Sequence, residues 1–99
     1  DLGIPPADPE LYVGRLADET GVSEAVERRA LAILSRTKEA DRHSGRNPVG
    51  LAAAAIYTAL TERHDDPPVS QRELSDASGV GTVTIRRSYQ AMADLVADD

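Results

Sequence analysis

Val83, Arg86, Arg87 and Gln90 recur at the spacing of one helix face, inside a stretch (82–93) that carries two arginines and no acid. The rest of the chain is acidic, with 17 Asp and Glu against 11 Lys and Arg. An arginine can bond two acceptors on a guanine edge at once, and an apolar side chain can touch a thymine methyl. The mixture therefore suits the reading of base pairs in a major groove. Two neighbouring arginines on a helix equally suit a solvated face, and the pattern alone leaves both readings open. The second concentration of positive charge is RHSGRNP (42–48), where Arg42 and Arg46 stand just before Asn47-Pro48. Free backbone N–H groups and the dipole at a helix start favour a phosphate there. The plainer alternative is a solvated loop in which Asn47 only caps the helix.

Other chemistries find little footing. Without cysteine there is no disulfide, no thiolate metal site and no cysteine nucleophile. His43 and His64 are the only histidines, and His64-Asp65-Asp66 has no converging ligands of metal-site spacing. No Walker-type glycine loop, G-x-S-x-G elbow or H-E-x-x-H pair occurs. Carboxylate pairs such as Asp18-Glu19 lie on strongly polar stretches. The expectation is a non-enzyme with no catalytic residues, no metal ligands and no cofactor. No run approaches the roughly 18 apolar residues of a membrane span, and no basic-then-apolar leader opens the chain. A cytoplasmic protein without membrane contact is expected.

The elements that must position these residues are helical. Residues 1–7, DLGIPPA, read as an extended linker. Asp8-Pro9 pairs a preferred cap with a proline at the first helical position. Tyr12, Val13, Leu16 and Ala17 follow at helical spacing, and Gly21 ends the segment. Ser23 caps a second helix with the stripe Val26, Ala30, Ile33, Leu34 and Thr37, broken by RHSGR (42–46). Asn47-Pro48 opens a third, PVGLAAAAIYTAL, in which ten of thirteen residues are apolar and none is charged. A helix apolar on every side is buried on every side, so this is the expected hub. The loop HDDPP (64–68) ends it. Ser70 and Glu73 form a capping box for a short fourth helix through Leu74 and Ala77, which Gly79 stops. Thr82 caps a fifth, with the inner stripe Ile85, Tyr89, Met92 and Val96. Nothing alternates with a period of two for long. The expected fold is all-α, with five helices over 8–97.

Within it, QRELSDASGVGTVTIRR (71–87) has the layout of a helix-turn-helix. A short helix, a glycine-containing turn and a second helix present that second helix to a groove. Leu74, Val80 and Ile85 are apolar where the two helices should meet, and no strand pair follows to make a wing. The motif is expected to span 70–97.

With 40% hydrophobic residues, the 99-residue chain can offset its ordering entropy and fold as one domain. Its core must be aliphatic, since it has three Tyr and neither Phe nor Trp. Ten of the eleven basic residues are Arg, leaving Lys38 as the one lysine, and the net charge is −6. An acidic surface poor in lysine implies a halophilic source. At about 1 M salt the Debye length falls to about 3 Å, so repulsion between surface carboxylates and DNA fades. Net charge therefore does not exclude a nucleic-acid partner.

SGRNPVGLAAAAIYTA (44–59) together with SQRELSDASGVGTVTIRRSYQAM (70–92) resembles the second cyclin-like repeat of transcription factor B, the archaeal counterpart of transcription factor IIB. DPELYVGRLADETGVS (8–23) is similar to the start of that repeat, so the resemblance spans nearly the whole chain. It implies a five-helix cyclin-like domain that joins TATA-binding protein on promoter DNA. It also implies that the helix-turn-helix reads the B recognition element upstream of the TATA box. The family's base-contacting Val and Arg fall on Val83 and Arg86. Backbone or edge contacts are implied for Gln71, Thr82, Thr84 and Arg87, and a phosphate contact for Arg46. The family's zinc ribbon and first repeat have no counterpart here, so an excised, monomeric domain is expected. RNA polymerase would then be engaged through parts of the full-length protein absent here. Two rivals remain: a cyclin-type protein-interaction module without sequence-specific DNA reading, and a stand-alone repressor that dimerises on palindromes.

Overall fold

Five helices follow one another in the computed structural model, which describes residues 8–97: α1 (Glu10–Thr20), α2 (Glu24–Glu39), α3 (Pro48–Arg63), α4 (Gln71–Ser78) and α5 (Thr82–Ala97). The expected 1–7 linker lies outside the described residues. α3 packs against all four other helices. Successive helical residues point about 100° apart, so the fully buried run Ala52–Ala55 already faces every direction around the axis. Only neighbours on all sides can cover such a segment, and the methyl side chains let those neighbours come close. Among the described residues no helix is long and apolar enough to cross a membrane.

Local signals set the helix ends. Asn47 Oδ1 accepts from the N–H groups of Val49 (2.9 Å) and Gly50 (3.0 Å), with Pro48 at the first turn. Ser23 caps α2 by accepting from Val26 N–H at 3.2 Å. For α1, Pro9 already has helical dihedrals, and Asp8 Oδ1 accepts from Glu10 N–H at 3.2 Å. The buried positions of α2 are Val26, Ala30, Ile33, Leu34 and Thr37, the same stripe that its spacing implies. Thr37 stays in this apolar setting because its hydroxyl donates to the Ile33 carbonyl at 2.7 Å.

Two features of α5 differ from the sequence-based expectation. Thr82 is not the cap but the first helical residue: Gly81 C=O accepts from Ile85 N–H at 3.2 Å and so occupies the cap position. The buried face is Ile85, Ser88, Met92 and Leu95, with Tyr89 and Val96 only partly covered. Small Ser88 permits close packing, whereas the Tyr89 ring sits edge-on to Tyr57, with centroids 4.9 Å apart and planes at 80°.

Candidate nucleic-acid interface

The capping box starts α4: Ser70 Oγ accepts from Glu73 N–H (3.1 Å), and Glu73 Oε1 accepts from Ser70 N–H (3.2 Å). Leu74, fully buried, anchors this helix against the core. Gly79 then turns the chain with φ +76°, a left-handed conformation that costs glycine nothing, and its N–H donates to Ser75 C=O at 2.8 Å. Val80 N–H donates to Ser78 Oγ at 3.1 Å. Three residues, Gly79 to Gly81, thus join α4 to α5, which is helix-turn-helix geometry.

α5 divides cleanly by exposure. Ile85 and Ser88 are buried, while Val83, Arg86, Arg87 and Gln90 are exposed, as are Thr82 and Thr84. Val83 is 48% exposed, and among the described residues only Leu11 joins it as a large apolar side chain so placed. A single exposed valine is ordinary on a protein surface, and here its methyl groups are open to a partner. Among the described residues, ion pairs engage Arg15, Arg28, Arg29 and Lys38 but neither Arg86 nor Arg87.

The expected backbone-contact residues separate into two groups. Arg46, Thr84 and Arg87 line one cleft of about 170 Å³ with Gly45, Asn47 and Ser88. The α2–α3 loop and the first turns of α5, some forty residues apart in sequence, form its walls. Arg46 Nε donates to Arg42 C=O at 3.0 Å, which ties down the inner end of the guanidinium and leaves its terminal nitrogens for a ligand. Arg42 is held in turn, its N–H donating to Thr37 C=O at 2.9 Å. Between these residues Asp41 adopts φ +55° and accepts from Ser44 Oγ at 2.9 Å. Two guanidinium groups beside a helix start are suited to an anion. Gln71, half-buried at the first turn of α4, does not line this cleft. Val83 and Arg86 also lie outside it, on the exposed face of α5.

Ser88 and Gly45 are lining residues that helical spacing and charge do not single out. For Ser88 the signal is a small residue one turn from Thr84 and beside Arg87, on the face that Ile85 and Met92 bury. For metal chemistry, the described residues include no cluster of three or more His, Asp or Glu side chains.

An apolar central helix wrapped by four others, with a helix-turn-helix closing the chain, defines a cyclin-like helical domain. Residues 4–95 match the family described as the transcription factor TFIIB repeat, and the chain belongs to that family. Transcription initiation factor IIB 2 of Haloferax volcanii is 45% identical over 94 residues, covering 95% of this chain and 28% of that protein. Transcription initiation factor IIB 6 of Halobacterium salinarum is 39% identical over 93 residues, 94% of this chain and 28% of the relative. Transcription initiation factor IIB of Pyrobaculum arsenaticum is also 39% identical over 93 residues, 94% of this chain and 27% of the relative. The chain thus spans little more than a quarter of the length of these relatives. Halophiles among them accord with the acidic, lysine-poor composition.

Proposed function

We propose that this chain is a non-enzymatic DNA-binding domain of a general transcription initiation factor, reading the B recognition element upstream of the TATA box together with TATA-binding protein. The observation that carries the reading is the exposed face of α5 over 82–93, which holds no acid and sets Val83 beside Arg86 and Arg87, neither of them ion-paired within the described residues. Residues 70–97 form the reading unit within a domain of 8–97. Val83 and Arg86 contact base edges, one a thymine methyl and the other a guanine. Thr84, Arg87 and Arg46 hold a phosphate at their shared cleft, and Thr82 and Gln71 contact the backbone or base edges nearby. The domain acts as a monomer on the chromosome in the cytoplasm, and RNA polymerase is met by other parts of the longer factor.

The test is a titration in about 1 M KCl, where screening suppresses generic charge effects. Duplexes carry a TATA box with either an intact or a scrambled upstream element, with and without TATA-binding protein. Tighter binding to the intact element, with NMR perturbation centred on 83–90, supports the reading. Equal binding to both in every condition overturns it. The net charge of −6 favours one second reading, a cyclin-type module that docks a protein partner and does not read DNA. A partner peptide that binds with no response to either duplex would support that module.

A further inference from the structure

Gly50 is the sole glycine of α3, in a helix whose other small positions are alanine. It is buried in the first turn, and its N–H donates to the Asn47 cap. Its dihedrals are helical, so no left-handed turn calls for glycine there. Glycine is a poorer helix former than alanine, which leaves tertiary crowding as the reason for it. A Cβ at this position would lie 3.2 Å from Thr84 Cγ2 and 3.4 Å from Val80 Cγ1. Both contacts belong to the part of the molecule that aims α5. Val80 is in the turn of the helix-turn-helix, and Thr84 lies on the first turn of α5, one residue past Val83 and on the wall of the Arg46–Arg87 cleft.

We infer that Gly50 is a positioning residue for DNA reading: the missing methyl sets how closely the start of α5 approaches the start of α3. That distance fixes both the width of the anion cleft and the register of Val83 and Arg86 against base edges. The inference rests on the DNA-reading function proposed above. Its structural half, the spacing of the two helix starts, can be measured without DNA.

Gly50→Ala is compared with Gly50→Ala/Thr84→Ser, in which the crowded methyl of residue 84 is removed and the hydroxyl kept. Three quantities are read: amide shifts by NMR, thermal melting, and the ratio of affinities for intact and scrambled duplexes. In Gly50→Ala the amides of 80–87 should shift, melting should stay at or above that of the parent, and the ratio should fall about five- to tenfold, within the range of one displaced base contact. Affinity for the scrambled duplex, which is mostly phosphate-driven, should stay within about threefold. The double variant should move the 80–87 amides back and recover the ratio. A purely structural role would lower melting in step with binding, and this outcome overturns the inference. So do shifts confined to 47–53, or a double variant no better than the single one. If Gly50→Ala fails to fold, the role of Gly50 is structural and the inference is overturned, whether or not the double variant folds. If the parent shows no duplex preference, the functional reading fails. The spacing role of Gly50 is then decided on the amide shifts and their reversal.

Discussion

On α1 and α2, the basic side chains Arg15, Arg28, Arg29 and Lys38 are matched to carboxylates. Lys38 Nζ lies 3.1 Å from Asp8 and 2.9 Å from Glu10, bridging the end of α2 to the start of α1. Arg29 meets Glu62 through two bonds, Nε at 2.7 Å and Nη2 at 2.8 Å, tying α2 to α3. In the helix-turn-helix and the loop before α3 the same residue type is left open: within the described residues Arg86 and Arg87 have no acidic partner, and Arg46 bonds only a carbonyl through Nε. A chain with an excess of 6 acidic residues could easily have paired them. Charge in the first region closes helices onto one another, and in the second it is available to a ligand. Each should therefore respond to a different measurement.

The largest effect lies beneath the open region. Leu74→Ala removes a fully buried side chain where α4 meets the core, and should destabilise the fold by about 2–5 kcal/mol in denaturant melts. A loss below 1 kcal/mol would mean that α4 is only loosely attached. Next, Arg86→Ala should weaken binding to an intact upstream element by about 1–3 kcal/mol and blunt base preference. Melting should hardly change, since no ion pair is lost. A fall in melting temperature without a binding defect would erase the contrast between the two regions, and equal losses on scrambled DNA would reduce Arg86 to a phosphate contact.

Smaller effects come from the paired region. Lys38→Met should cost about 1 kcal/mol at neutral pH, as for a partly exposed ion pair, and leave duplex preference intact. Hydrogen bonds to Glu10 and Asp8 hold the lysine pKa above its ordinary value. Its contribution is therefore complete below the unfolded lysine value and is lost as pH rises through the raised one, so variant and parent should converge in strong alkali, and again in acid as pH falls through the lowered Asp8 value. Smallest is Glu62→Gln, at about 0.5 kcal/mol. The hydrogen bond from Arg29 holds the Glu62 carboxyl below the usual glutamate value. That stability is present above the unfolded pKa and fades as pH falls through the folded one, so this difference should vanish on the acid side. A pH-independent gap would assign the effect to packing.

Local chemistry was legible residue by residue. Asn47, Ser23 and the Ser70–Glu73 box cap their helices as spacing implied, because a cap depends on side chains within three residues of the N–H groups that it satisfies. The stripe of α2 and the all-round burial of α3 follow from periodicity, which reports how much of a helix can face water. Legibility weakened on α5, where Tyr89 and Val96 were expected inside and Ser88 and Leu95 are deeper. Hydrophobicity ranks side chains, but the depth available against α3 depends on their size.

The outward set Val83, Arg86 and Arg87 was likewise readable from the sequence, since a helix wheel assigns faces without knowledge of the partner helix. Two features belong to the tertiary structure alone: the meeting of Arg46 with Thr84 and Arg87, and the crowding of Gly50 against Val80 and Thr84. Each depends on how closely two helix starts approach across α3, and such distances result from the packing of the whole core. A pattern with a period of 3.6 residues carries direction around one axis and holds no measure of the gap between two.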